Sequence, residues 1–151
     1  MSIMNVTSIA TVHSPVAEGI DENWGSVVSE IRVNPEWTSG LQGLEEFSHL
    51  LVVFYMHQSS FDATDLVRRP QGRADMPELG IFAQRAKHRP NPIGITAVEL
   101  VEIQDNIVRV RGLDAIDGTP VLDLKPYFPP FDRRDDAATP EWVERLMKTY
   151  F

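Results

Sequence analysis

The sequence has 151 residues, no cysteine and a formal net charge of −8 at pH 7. The length suits one domain over residues 1–151, because domains take roughly 100–200 residues and a chain of this size buries about 68–70% of its unfolded surface. The missing cysteines exclude disulfides, zinc–thiolate sites and thiol nucleophiles, and the net negative charge opposes general affinity for nucleic acid. No apolar run approaches the roughly 18–20 residues of a membrane span, and the opening MSIMNVTSIATVHSP lacks the basic and long apolar blocks of a signal peptide. A soluble, cytoplasmic protein with no membrane association is expected.

In chain order, Val6 to Val12 reads as a strand closed by Ser14-Pro15, and Val28 to Val33 as an alternating strand closed by Asn34-Pro35. Leu41, Leu44 and Phe47 are spaced for a short helical turn. His49 to Gln58, HLLVVFYMHQ, is apolar at both parities, as in a strand buried on both faces. Residues 59–79 read as an irregular polar loop broken by Pro70, Gly72 and Pro77, and loops of that length are often functional. Gly80 to Arg85 reads as a short strand. Ile93–Ile103 and Ile107–Leu113 form a hairpin across Asp105-Asn106, where Asn106 tolerates positive φ. Val121 to Lys125 alternates again. The spacing then predicts a helix over Pro140–Tyr150, with Thr139 as N-cap, Pro140 at the first position and Trp142, Leu146 and Tyr150 as its apolar stripe. About seven short strands and one terminal helix predict a mostly-β fold, a small closed or partly open barrel or a sandwich.

Charge is unevenly spread. From Arg68 to Arg89 six basic residues (Arg68, Arg69, Arg73, Arg85, Lys87, Arg89) face two acidic ones, leaving that window at +4 and the rest at −12. It ends in RAKHRPNPIG, Arg85 to Gly94, where Arg89 and Asn91 precede prolines, so Arg89 to Pro92 should be stiff and extended. Such a loop either presents donors to an anion or is a structural turn held by Arg89 on a buried carboxylate. In DAIDGTP, Asp117 can close an Asx-turn and Gly118 supplies positive φ. Asp123, Lys125 and Tyr127 fall on one strand face together with Val121. His49 and His57, eight apart on one strand, would lie about 27 Å from each other and cannot share a metal. No metal-binding spacing, glycine-rich dinucleotide fingerprint, P-loop or nucleophile elbow is present.

The stretches IATVHSP, GLEEFSHLLVVFYMHQ, GIFAQRAKHRPNPIGITAVEL and LDAIDGTPVLDLKPYFP together span most of the chain up to residue 129. Their order and spacing resemble the TsaA-like (YaeB-like) family, whose best understood members methylate the threonylcarbamoyl-adenosine beside the tRNA anticodon using S-adenosylmethionine. The resemblance implies a compact β-barrel methyltransferase that works as a homodimer on tRNA, with the methyl donor near the subunit interface. It implies a donor site formed by Asn23, Trp24, Gly25, His57, Gln58, Arg85, Ile95, Asp117, Gly118, Thr119 and Pro120. Arg89 and Asn91 would shape the same cleft, Lys125 and Tyr127 would line it toward RNA, and Arg68 and Arg69 would meet phosphate or the substrate carboxylate. Asp117 would be the catalytic proton acceptor. The chain departs from the pattern at Trp24, where a proline is usual, and at Ala86-Lys87, and no appended RNA-binding domain is expected. A small-molecule methyltransferase or a non-catalytic S-adenosylmethionine-binding module are the alternatives.

Overall fold

A computed structural model describes residues 2–151; Met1 lies outside the described residues. Its strands are β1 (Ala10–His13), β2 (Val28–Val33), β3 (His49–Tyr55), β4 (Val67–Arg68), β5 (Leu79–Gly80), β6 (Ile93–Gln104), β7 (Ile107–Arg111) and β8 (Pro120–Pro126). Two short helices follow, α1 (Pro129–Asp132) and α2 (Glu141–Met147). Six strands close into an antiparallel barrel in the order β1-β2-β7-β6-β3-β8, while β4 and β5 form a separate two-stranded sheet. The fold is therefore mostly β and the barrel is closed, which removes the unpaired edges an open sheet would carry.

Alternation fills the interior. Ile31 and Val33 of β2, Leu50, Val52 and Phe54 of β3, and Val108 and Val110 of β7 are buried together with Val12, Val98 and Val121. The expectation that HLLVVFYMHQ is buried on both faces needs correction. Only the even positions turn inward, Leu51 and Val53 are half-buried, and Tyr55 is exposed, because a barrel wall has one interior face. The strand also ends at Tyr55, where Ser59 closes a turn on the Met56 carbonyl through its amide and its hydroxyl. His57 and Gln58 sit in that turn, not on a strand shared with His49.

Two bulges set the shape. The long β6 pairs with β3 over Ile93–Glu99 and with β7 over Glu99–Gln104, with a register shift between Leu100 and Glu102, and such an extra residue bends a strand around a barrel. On β8 the register with β3 shifts between Asp123, opposite Val53, and Val121, opposite Phe54. Val121 therefore points into the core while Asp123 and Lys125 face out, contrary to the uniform alternation expected across Val121 to Tyr127.

Other boundaries move for local reasons. The first strand starts at Ala10 and leaves Val6 exposed. The predicted helical turn is a pair of 3₁₀ turns, Pro35–Leu41 and Leu44–Glu46. The strand expected over Gly80 to Arg85 is only β5, followed by a 3₁₀ turn at Ile81–Ala83. The loop expected over 59–79 contains β4 and buries Met76. In the β6–β7 hairpin the positive φ falls on Asp105, at 55°; Asn106 instead donates its side-chain amide to the Val33 carbonyl at 2.7 Å. The helix predicted over Pro140–Tyr150 is shorter and is capped by Pro140, not Thr139; past Met147 the Tyr150 amide bonds Met147 O at 3.1 Å, an i→i−3 turn that ends the α-helical pattern. No helix among the described residues is long and apolar enough to cross a membrane.

Candidate functional site

Because the six barrel strands alternate in direction, three loops meet where β1, β3 and β7 finish and β2, β6 and β8 begin. These are residues 14–27, 56–92 and 112–119. They carry Asn23, Trp24, Gly25, His57, Gln58, Arg68, Arg69, Arg85, Arg89, Asn91, Asp117, Gly118 and Thr119, with Ile95 and Pro120 on the adjoining strands.

The loops are tied to each other. The Asp117 amide donates to Val16 O at 2.7 Å, and Asp117 Oδ1 accepts the Ser14 amide at 3.0 Å. Asp117 thus clasps the 14–27 loop instead of closing an Asx-turn on its own segment. Gly118 takes a φ of 83°, and a side chain there would stand 3.8 Å from His57 Nε2, so the missing Cβ leaves the imidazole uncovered. His57 Nδ1 is buried and has no hydrogen-bond partner among the described residues; such an orphan needs a ligand or solvent to satisfy it. Thr119 is buried and spends its hydroxyl on Ile116 O at 2.7 Å, which fixes the shape of the turn.

The basic segment divides in two. Arg68 is paired with Asp65, Arg73 with Asp75 at 2.7 Å, and Arg69 with Glu78 at 3.8 Å. The hydrogen bond from Arg68 holds the Asp65 carboxyl below its usual range, and that from Arg73 does the same to Asp75. Those arginines are largely answered by their own loop. Arg85, Lys87 and Arg89 form no ion pair among the described residues. Arg89 donates to the carbonyls of Gln84 and Ala86, at 3.0 and 3.2 Å, so it holds a turn through carbonyls and not through a buried carboxylate. Arg85 makes a single long contact, 3.4 Å to Ile95 O. Arg89 to Pro92 is not extended. Bonds from the Arg89 amide to Lys87 O and from the Ile93 amide to Asn91 O fold it into successive tight bends.

Lys125 and Tyr127 are not brought to these loops within one chain. Lys125 lies opposite Leu51 and is paired with Asp123, and the Tyr127 amide bonds His49 O, at the other end of β3. Lys125 and Tyr127 stand about 13 and 20 Å along the chain from Val121, so these two side chains lie toward the other end of the barrel.

Three polar residues outside the expected set join the loops. Asp114 accepts the Thr96 hydroxyl on one oxygen and the Tyr150 hydroxyl on the other. Burial, followed by the Asp114 charge, raises the Tyr150 phenol above its ordinary range. The sequence signal for Asp114 was its place beside the DGTP turn; Tyr150 read only as part of an apolar stripe. Gly94, in the R-P-N-P-I-G core, lies under the Phe54 ring. No group of three or more His, Asp or Glu among the described residues is placed to hold a metal.

Residues 17–133 match the tRNA-methyltransferase O N-terminal domain family. A probable S-adenosyl-L-methionine-binding protein of Pyrococcus abyssi is 39% identical over 142 residues, covering 91% of this chain and 74% of that protein. The tRNA (adenine(37)-N6)-methyltransferase of Escherichia coli is 40% identical over 102 residues, covering 65% of this chain and 43% of the enzyme. The crystal structure of TrmO from Pseudomonas aeruginosa superposes with a TM-score of 0.73 at 31% identity, over 91% of this chain and 62% of that one.

Proposed function

Because this chain belongs to the tRNA-methyltransferase O N-terminal domain family, we propose that it binds S-adenosylmethionine among the three loops and methylates N6 of the threonylcarbamoyl-adenosine beside the tRNA anticodon. The observation that supports this is that the three loops bearing the candidate donor residues share one barrel end, where Gly118 faces an imidazole whose Nδ1 lacks a partner among the described residues. The residues suit the group. His57 offers an unsatisfied nitrogen, Gly118 leaves room beside it, Arg85 keeps most of its donors, and Asn23, Gln58 and Asn91 present exposed amides. When bound, the donor supplies an electrophilic methyl on a sulfonium, so the protein's task is alignment, which contributes roughly 7–11 kcal/mol in well-oriented systems.

In this assignment His57, Gln58, Arg85, Ile95 and residues 117–120 hold the donor beside Asn23–Gly25. Arg89 and Asn91 shape the cleft, and Arg68 and Arg69 lie on the approach for phosphate or carboxylate. Asp117, whose Oδ1 is fixed by the Ser14 amide, keeps its other oxygen to accept the proton leaving the exocyclic amine. Lys125 and Tyr127 reach substrate only from a second copy. A homodimer is favoured by the apolar exterior of β3 and β6, where Tyr55, Ile93 and Ile95 are exposed side by side with Val53. A cytoplasmic location follows from tRNA as substrate.

Isothermal calorimetry with S-adenosylmethionine and mass spectrometry of tRNA nucleosides after incubation test this. Donor binding and appearance of the N6-methylated nucleoside are expected. A non-catalytic S-adenosylmethionine-binding module is the second reading, favoured because the chain covers 74% of the Pyrococcus abyssi protein but 43% of the Escherichia coli methyltransferase. Donor binding with unmodified tRNA would select it, and no donor binding would refute both.

A further inference from the structure

The segment following α2 lies beyond residues 17–133, the part shared with the family, yet it is built into the candidate donor site. The Asn23 amide donates to Thr149 O and the Trp24 amide to Tyr150 O, both at 2.7 Å. A Cβ on Gly25 would stand 2.7 Å from the Phe151 carbonyl carbon, so the two backbones touch with no room for a side chain. Tyr150 then reaches across to Asp114, whose second oxygen takes the Thr96 hydroxyl of β6. One turn earlier, Arg145 donates to the Asp75 carbonyl at 2.7 Å and to its carboxylate at 3.1 Å. A single stretch from Arg145 to Phe151 therefore touches all three loops.

The contacts fall on a segment that needs holding. Asn23 has a φ of 62°, in the left-handed region, which asparagine reaches more readily than most residues and which here comes with its amide bonded to Thr149 O. Trp24 is buried and its indole Nε1 donates to Ile20 O at 3.0 Å, so its ring anchors the loop while Asn23 and Gly25 flank it. Asn23 is fixed from outside its own loop by the Thr149 carbonyl, and Thr149 is fixed in turn by the Tyr150–Asp114 bond beside it.

We propose that Tyr150 and Asp114 are positioning residues for the methyl donor: they latch the segment after α2 onto Asn23–Gly25 and so set the loop in its donor-binding form. This rests on the functional reading above. Linkage makes the effect reciprocal: if the latch favours donor binding, bound donor must tighten the latch by the same factor. A tyrosine that merely adds stability would lack that second effect.

The test combines calorimetry with hydrogen exchange on the full chain. Tyr150→Phe is expected to weaken S-adenosylmethionine binding about five- to tenfold. In the wild-type protein, saturating S-adenosylmethionine is expected to slow exchange at the Asn23 and Trp24 amides by a similar factor, and in the variant to slow it far less. Should Tyr150→Phe fold poorly, Asp114→Asn, which keeps the shape but gives up one of two acceptor oxygens, is expected to show the same paired loss. Wild-type affinity in either folded variant, or donor-independent exchange at both amides, would overturn the latch while leaving the functional reading standing. Absence of donor binding to wild-type protein would overturn both.

Discussion

Gly94→Ala perturbs the R-P-N-P-I-G core where it enters the barrel. Gly94 lies opposite Phe54 in the β3–β6 register, and an alanine Cβ there would stand 2.5 Å from the ring Cζ and 2.6 Å from Cε2. Carbon atoms pack at about 3.5–4.0 Å, so the ring or the strand must yield roughly 1 Å. Phe54 is 4% exposed and belongs to the core cluster, so the ring has nowhere to swing. Overpacking of this kind costs about 1–3 kcal/mol, offset by about 0.4–1 kcal/mol because alanine restricts the unfolded chain. A net loss of about 1–2 kcal/mol corresponds to a fall in Tm of roughly 2–8 °C for a chain of this size. Calorimetric melting measures it. Pairing the change with Phe54→Leu, which removes the obstructing ring edge, should give less than additive destabilisation, with coupling of about 0.5 kcal/mol or more. An unchanged or higher Tm in Gly94→Ala, or strict additivity with Phe54→Leu, would refute the idea that Gly94 is required by ring contact.

Trp24→Ala should cost about 3–5 kcal/mol in chemical denaturation, since the buried indole and its bond to Ile20 O are both lost; a cost below about 1 kcal/mol would mean the loop repacks without it. Arg89→Lys should speed amide exchange at Arg89 and Ile93 about tenfold, because an ammonium cannot reproduce the guanidinium contacts to Gln84 O and Ala86 O; unchanged exchange would show that the prolines alone hold the bends. For Tyr150 the folded phenol is raised above its ordinary 10.0, so its contribution to stability is present below about pH 10 and is lost as pH rises past that value toward the folded one. Wild-type protein should therefore lose stability relative to Tyr150→Phe above about pH 10, and parallel stability curves would contradict the assignment.

The sequence made β2 and β7 legible because each alternates with period two against a single interior, and a barrel needs nothing more from them. It misplaced what depends on partners distant in the chain. The bulge on β8 cannot be read from VLDLK; it arises where β8 leaves Val53 for Phe54. α2 stops at Met147, where the Tyr150 amide turns to Met147 O at 3.1 Å in a tighter i→i−3 bond, and the chain beyond offers the Thr149 and Tyr150 carbonyls to Asn23 and Trp24. The +4 window was legible as charge but not as chemistry. Arg68 and Arg73 answer carboxylates within three residues, Arg69 reaches Glu78, and Arg89 answers carbonyls. What projects toward the loops is narrower, chiefly Arg85 and Lys87.

The double-sided apolar character of HLLVVFYMHQ also changes meaning once the barrel closes. Leu50, Val52 and Phe54 fill the interior, which leaves Leu51, Val53 and Tyr55 as a surplus that one chain does not bury. Opposite them β6 sets Ala97, Ile95 and Ile93 on the same exterior, so the excess is a surface and not a stray residue. That surface begins beside the loops, where the carbonyl of Ile95 meets Arg85, while Lys125 and Tyr127 lie toward its far end. A second copy packed across it would bury both parities of the strand. It would also carry the distant pair on one chain toward the loop cluster of the other, joining groups that a single barrel holds about 13–20 Å apart along β8.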